Sequence, residues 1–399
     1  MQLLNTDIKN KVLDSMMQII ESRKDEILEA NKKDLEAFNR DDQALYDRLV
    51  VNDAKISGMI QAIKEVRDQE DPVSQEISNT TLESGLKIIN KTAPFGTIMI
   101  IYESRPDVTI EAAVLAFKAN NKILLKGGKE AYLSNVVLVD CWKQALREND
   151  LDESWITMLQ MNREETQAFL KNPDQPLDLI VPRGGERLIG FVKEHAKCAV
   201  LVSGRGNNFL YVHPKADWAK TIEVIINAKT DKISGCNALD KVLVDKNIAD
   251  YEVKIKELDQ ILKAKGVEVL ADEASKEVLS ENAVIPNEDT WYEEFLAMKI
   301  VLGAVDSMDE AMEKINTYSG GHSSAIMTTD KEAATTFMEN IDTAAVYHNA
   351  STRFTDGGQM GVGAELAIST DKLHHRGPLG LKQLVTNKYY VFGDGHVRV

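Results

Sequence analysis

Residues 97–128 read TIMIIYESRPDVTIEAAVLAFKANNKILLKGG. Thr97–Tyr102 is an apolar run rich in β-branched residues. Asp107–Ala119 carries apolar residues at helical spacing, and Lys122–Leu125 is a second apolar run that stops at Lys126-Gly127-Gly128-Lys129. A buried strand, a helix and another buried strand in so short a span make a βαβ unit, whose strands lie parallel.

Working outward, the same alternation continues. Ala131–Leu146 predicts a helix, Trp155–Leu159 a short strand, and Leu177–Val181 a strand running into Pro182-Arg183-Gly184-Gly185 and a helix from Glu186. Ala199–Val202 and Phe209–Val212 extend the series. Apolar β-branched runs separated by amphipathic helices predict an α/β chain built on a parallel sheet. Upstream, the spacing of Leu4, Ile8, Val12, Met16 and Ile19, and of Ile56, Met59, Ile63 and Val66, predicts helices as far as about Asp71. Leu86–Ile89 is β-prone, with Thr92–Gly96 read as a turn. The alternation restarts after Thr230, through Lys241–Val244, Val267–Leu270, Lys299–Val305, Ser324–Met327 and Ala344–Tyr347, which predicts a second α/β domain from about residue 230. Tyr389–Phe392 is a terminal strand candidate.

Composition narrows the function. The 399 residues carry a net charge of −16, which argues against a general nucleic-acid binder while leaving room for a local anion pocket. No apolar run approaches the roughly 20 residues that cross a bilayer, and the N-terminus lacks the h-region of a signal peptide. Three scattered cysteines, Cys141, Cys198 and Cys236, offer neither a disulfide framework nor a metal site and suit a reducing cytoplasm. The seven histidines show no metal-binding spacing, so no metal is expected.

Gly204-Arg205-Gly206-Asn207-Asn208 opens like a dinucleotide fingerprint, but it lacks the third glycine and precedes a strand rather than a helix. Two other elements suit an anion better. Lys126 ends a buried strand, where open α/β sheets bind ligands. Arg183-Gly184-Gly185 joins a strand to a helix N-terminus, where backbone N–H groups can face a phosphate; taken alone, it reads better as a tight turn, and its occurrence with Lys126 in one parallel sheet makes the two readings even. Cys236, in Ile233-Ser234-Gly235-Cys236-Asn237-Ala238, lies in a polar, glycine-containing loop of the kind that exposes and activates a nucleophile. The alternative is a small buried hydrophobe, a description that fits Cys141 and Cys198 better.

Several stretches together resemble the glutamate-5-semialdehyde dehydrogenase (gamma-glutamyl phosphate reductase) family of the aldehyde dehydrogenase superfamily. They are IYESRPDVT (101–109), ILLKGGKEA (123–131), DLIVPRGG (178–185), NAKTDKISGCNAL (227–239), INTYSGGHSSAI (315–326), AVYHNASTRFTDGG (345–358) and ISTDKLHHRGPLGLKQL (368–384).

The resemblance implies an aldehyde-dehydrogenase-like fold of two parallel-sheet α/β domains with a small oligomerisation flap. Residues 1–229 would bind the cofactor, with 83–93 contributing to the flap. Residues 230–365 would hold the nucleophile, and 366–399 would return to the first domain and the flap. The implied reaction is NADPH-dependent reduction of L-glutamyl 5-phosphate to the semialdehyde with loss of phosphate, through a thioester on Cys236 and with Asn237 or a backbone N–H at the oxyanion. Lys126, Gly128, Lys129, Arg183, Gly184, Gly185 and Glu294 are the implied cofactor residues, Lys129 favouring NADP over NAD. Arg105, Ser351, Thr352 and Arg353 are the implied substrate residues; either arginine also suits a structural loop anchor, and Glu294 a solvated helix end. Partners would be a second copy of the chain and a glutamate 5-kinase. Asp107, Val202 and Gly235 depart from the family pattern, Val202 standing where hydrolytic relatives carry a glutamate base. Another NAD(P)-dependent acyl reductase or aldehyde dehydrogenase, or a non-catalytic paralogue, are the alternatives.

Overall fold

The computed structural model describes residues 2–39, 43–285 and 287–398. The chain forms two compact units, one of residues 1–202, 361–367 and 379–399 and the other of 203–360 and 368–378.

The first unit is built on a five-stranded parallel sheet of β3 (Thr97–Tyr102), β4 (Lys122–Lys126), β5 (Ile156–Met158), β6 (Leu179–Arg183) and β7 (Ala199–Val200), in the order β5-β4-β3-β6-β7. Alternation along β3 explains why so apolar a strand is needed. Ile98 and Ile100 pack with Ile110, Val114 and Trp142 on one face, while Met99 and Ile101 pack with Leu170 and Val192 on the other. Both faces are covered, as in parallel sheets generally. The first face carries α1 (Thr6–Ser22), α4 (Asp53–Asp68), α5 (Pro106–Lys118) and α6 (Tyr132–Glu148), the second α7 (Arg163–Lys171) and α8 (Glu186–His195). Beside them, β1 (Glu76–Thr81), β2 (Lys87–Pro94) and the terminal strand Val385–Phe392 form a separate antiparallel sheet. Thr92–Pro94, expected as a turn, continues β2 because each residue pairs with 385–387 of the terminal strand.

The second unit holds a seven-stranded sheet. Its strands are β8 (Asn208–Val212), β9 (Leu239–Asp245), β10 (Glu268–Ala271), β11 (Ala283–Val284), β12 (Lys299–Val305), β13 (Ser323–Met327) and β14 (Ala345–His348), all parallel, in the order β11-β10-β12-β9-β8-β13-β14. The expected boundary at 229/230 is therefore displaced. β8 pairs with β9 and β13, so the division falls at 202/203 and α9 (Trp218–Thr230) belongs to the second unit. Residues 361–365, expected with the nucleophile domain, belong to the first unit, and 368–378 to the second. Among the described residues, no helix is long and apolar enough to cross a membrane.

Candidate functional site

In the first unit, parallel register brings three strand ends together. Lys126 stands opposite Ile101, and Arg183 opposite Tyr102. Lys126 Nζ donates to the Gly127 carbonyl at 3.2 Å. Burial pushes its pKa down, against the pull of Glu130 and Glu103. Lys129 is exposed. Glu130 is turned away from it, since its Oε1 accepts both the N–H and the O–H of Ser104 at 2.8 Å each. Those bonds hold Ser104 in the left-handed region, at φ 41°. A Cβ at Gly128 would fall 2.0 Å from Glu130 Oε1, so a larger residue there would displace the Glu130 carboxylate from Ser104.

After β6, Gly185 caps the ten-residue helix α8 with no side-chain hydrogen bond, and a Cβ on it would meet nothing within 4 Å. A helix N-terminus with open space before it can face an anion; Lys126 ends β4, two strands away in the order β4-β3-β6. Arg183 points elsewhere, with Nη1 donating to the Leu366 carbonyl. Arg105 donates to Asp107 at 2.8 Å. Burial works against the Asp107 carboxylate, yet Arg105, Lys55 and Arg183 together hold its pKa below the usual range. The negative charge expected of Asp107 is thus paired within its own turn.

In the second unit, the polar groups gather before the strands begin. Cys236 lies half-buried on the turn three residues ahead of β9. Close backbone approach makes Gly206 necessary, since a Cβ there would fall 2.0 Å from the Cys236 carbonyl oxygen. Asn208 Nδ2 donates to the carbonyls of Gly206, Cys236 and Ala238 at 2.9, 2.8 and 2.7 Å, while its Oδ1 accepts from Ser323 N–H. Thr352 Oγ1 donates to the Asn237 carbonyl at 2.8 Å. The carbonyls of 236, 237 and 238 are thereby fixed by two side chains.

Asn237 is committed as well. Its Nδ2 donates to the Arg353 and Thr355 carbonyls at 3.1 and 2.9 Å, and its Oδ1 accepts from Arg353 Nη1. Both amide hydrogens are used on the 352–355 turn, so they face that turn and not an oxyanion. The other edge of the Arg353 guanidinium meets Asp231 Oδ2 at 3.0–3.1 Å. Ser351 accepts from Arg353 N–H, and Thr352 is fully buried. The structure therefore brings Asn237, Ser351, Thr352 and Arg353 together as the frame of the Cys236 turn. Gly235 matters to that frame, since a Cβ on it would lie 2.8 Å from Asn237 Oδ1 and 3.0 Å from Arg353 Nη1.

The other two cysteines are disfavoured as nucleophiles. Burial pushes the Cys141 thiol up to about 11 and raises that of Cys198. Glu294 is partly buried on the segment ahead of β12. Among the described residues, no cluster of three or more His, Cys, Asp or Glu is placed to hold a metal. Sequence reasoning passed over Asn208, Asp231 and Thr355. The clue for Asn208 was present in Gly206-Asn207-Asn208, where a glycine and an amide open a strand ahead of no helix.

The description "Aldehyde dehydrogenase family" matches residues 2–267 and 253–365. The gamma-glutamyl phosphate reductase of Persephonella marina is 42% identical over 404 residues, covering 99% of this chain and 90% of the relative. The crystal structure of gamma-glutamyl phosphate reductase from Thermotoga maritima superposes with a TM-score of 0.95 at 41% identity, over 99% of this chain and 95% of that one. A glyceraldehyde-3-phosphate dehydrogenase from Methanocaldococcus jannaschii, crystallised with NADP, shares the fold at a TM-score of 0.66 and 17% identity, covering 98% and 90% of the two chains.

Proposed function

The chain belongs to the aldehyde dehydrogenase family, and from that premise we propose that it reduces L-glutamyl 5-phosphate to L-glutamate 5-semialdehyde with release of phosphate. The observation that supports this reading is the Cys236 turn, whose carbonyls at 236, 237 and 238 are held by side chains while Cys236 itself is only half-buried. The relatives at 42% identity named for this activity support the substrate.

The Cys236 thiolate attacks the acyl carbon, a C–S bond forms, the C–O bond to phosphate breaks, and inorganic phosphate leaves. Phosphate is a far better leaving group than the hydroxide or oxide an unactivated carboxylate would have to expel, so the acyl group reaches the thioester without a metal or a carboxylate base. Because the Asn237 amide hydrogens are spent on Arg353 and Thr355, the developing oxyanion falls to backbone N–H groups of the turn, the Cys236 N–H first among them. When bound, a nicotinamide cofactor supplies the hydride that takes the thioester to the aldehyde level. Val202, in place of a glutamate base, suits a thioester that must wait for reduction rather than hydrolyse.

The α8 N-terminus holds the cofactor diphosphate and Lys126 its adenosine ribose. Lys129, exposed beside a Glu130 that is locked onto Ser104, favours a 2′-phosphate and hence NADPH over NADH. Glu294 grips the ribose of the nicotinamide half. The exposed Ile77, Tyr389, Val391 and Phe392 of the three-stranded sheet support assembly with a second copy, and an acyl-phosphate-forming kinase supplies the substrate.

The test is the reverse reaction, with glutamate semialdehyde, NADP and inorganic phosphate, on wild type and Cys236→Ala. Activity that needs phosphate and is lost with the thiol is expected. Turnover without phosphate would exclude the phosphorylating reaction, and undiminished Cys236→Ala activity would exclude the thioester.

A further inference from the structure

Strand β9 is buried at all seven positions, yet it begins Leu239-Asp240-Lys241. Two adjacent charges inside a covered parallel sheet are costly, and apolar residues of similar size would make a more stable strand. Their partners show what the charges hold. Lys241 Nζ donates to the Glu293 carbonyl at 2.7 Å, and Asp240 Oδ2 accepts the Phe295 N–H at 2.9 Å. The two bonds grip the peptide on either side of Glu294. Asp240 Oδ1 is neutralised by the fully buried Lys229 at 2.9 Å, and the Phe295 ring covers Lys241 Nζ at 3.9 Å from its centroid.

The grip continues upstream. Lys241 also donates to Asn207 Oδ1 at 2.9 Å, and Asn207 Nδ2 donates to the Trp291 carbonyl at 2.6 Å. Arg205 donates to the Tyr292 carbonyl at 3.0 Å. Three successive carbonyls, 291–293, thus accept from side chains of the β8 and β9 starts. Immediately after the grip, the backbone is strained, since Leu296 adopts φ 48° while standing largely exposed. A left-handed apolar residue persists only where its surroundings over-determine it.

We propose that Asp240 and Lys241, with Asn207 and Lys229 behind them, are positioning residues that set the carboxylate of Glu294 for the cofactor ribose. This rests on the reading of Glu294 as a cofactor residue. Burial lowers the Lys241 pKa to about 7, and a neutral amine retains enough N–H groups for both of its bonds, so the clamp persists on either side of neutrality.

The experiment measures NADPH affinity by fluorescence titration for wild type, Glu294→Gln, Lys241→Met and the double variant, together with the rate of Cys236 alkylation by iodoacetamide. Both single variants are expected to weaken NADPH at least tenfold, the double variant to bind no worse than Glu294→Gln, and alkylation to stay within twofold of wild type. If Glu294→Gln binds NADPH normally, the cofactor reading of Glu294 fails and the clamp loses its purpose. If Glu294→Gln is weakened while Lys241→Met is not, or if the two losses add, the clamp itself is refuted. Should Lys241→Met fail to fold, hydrogen exchange on the wild-type protein decides. The Phe295 amide is expected to be protected although it lies in neither helix nor strand, and exchange at the unprotected rate would overturn the proposal.

Discussion

The two units carry the same kind of parallel sheet and put their chemistry at opposite edges of it. In the first, Lys126, Ser104 and Gly185 follow the carboxyl ends of β4, β3 and β6. In the second, Asn208, Cys236 and Glu294 precede or open β8, β9 and β12 at their amino ends. The edges differ electrostatically. Helices that follow parallel strands start at the carboxyl edge, so an anion there meets unpaired N–H groups and the positive end of a dipole. At the amino edge helices finish, and α9 ends at Thr230, just ahead of Cys236. A thiolate or oxyanion there receives nothing favourable from the helix and depends on side-chain cations and held peptides. In the second unit the turn is framed by Arg353, tied to Asn237 and Asp231, and by the carbonyls that Asn208 and Thr352 hold.

The sharpest way to break this contrast is Asn208→Asp. The carboxylate would face the carbonyls of 206, 236 and 238 with no hydrogen to offer, shifting the turn that carries Cys236, the proposed nucleophile. A displacement near 1 Å costs about 100-fold in turnover, so kcat should fall about that far while NADPH affinity stays within twofold. Loss of NADPH affinity with kcat preserved would mean that the two edges do not divide the work as described.

A second test concerns stability. His322, immediately ahead of β13, is fully buried with Nε2 lacking a hydrogen-bond partner, and burial lowers its pKa to about 4. The native state keeps it neutral, whereas the unfolded chain takes up a proton below its ordinary 6.5, so stability is lost as pH falls from 6.5 towards 4. At about 1.4 kcal/mol per pH unit, this one group costs roughly 2 kcal/mol at pH 5. Acid titration of unfolding in urea should show that loss in wild type and not in His322→Asn; equal slopes in the two would dismiss it.

At the carboxyl edge, Gly185→Asp should separate stability from function. The φ of −68° and ψ of 169° at Gly185 suit any residue, and the space is open, so aspartate becomes a proper N-cap worth a few tenths of a kcal/mol over glycine. Its charge would then compete with the diphosphate proposed for that terminus. A slightly raised Tm with NADPH affinity reduced about tenfold, near 1.4 kcal/mol, is expected. Unchanged affinity, measured by calorimetric titration, would remove the α8 terminus from the cofactor site.

Much of the frame was legible because apolar runs in covered parallel sheets leave a clear period. What periodicity does not carry is which sheet a strand joins, and so β8 was assigned to the wrong unit. β1 left no trace at all, since its six residues are exposed and show no alternation. α7 did leave one, unread, in the capping box from Asn162 to Glu165. Lys126, Gly185 and Cys236 stood out because each has a local signature. Asn208, Asp240 and Lys241 did not, because their value lies in carbonyls many residues away. The same reason hid the commitments of Asn237 and Arg353, whose partners only the folded turn brings within reach.

The smallest effect is the one most often guessed from sequence, the preference between NADPH and NADH. Lys129 is exposed and its neighbour Glu130 is fixed on Ser104, so what Lys129 can bring to a 2′-phosphate is a solvated ammonium. Exposed ion pairs contribute at most about 1 kcal/mol, which limits the share of the preference that Lys129 can carry to roughly fivefold. Lys129→Glu should therefore cut the ratio of kcat/KM for NADPH over NADH by more than fivefold, because it adds repulsion to the lost attraction, whereas Lys129→Ala should cut it by less. An Ala variant that retains the full ratio would move the selection of the 2′-phosphate off this lysine and leave the proposed carboxyl-edge site with the diphosphate and the adenosine ribose alone.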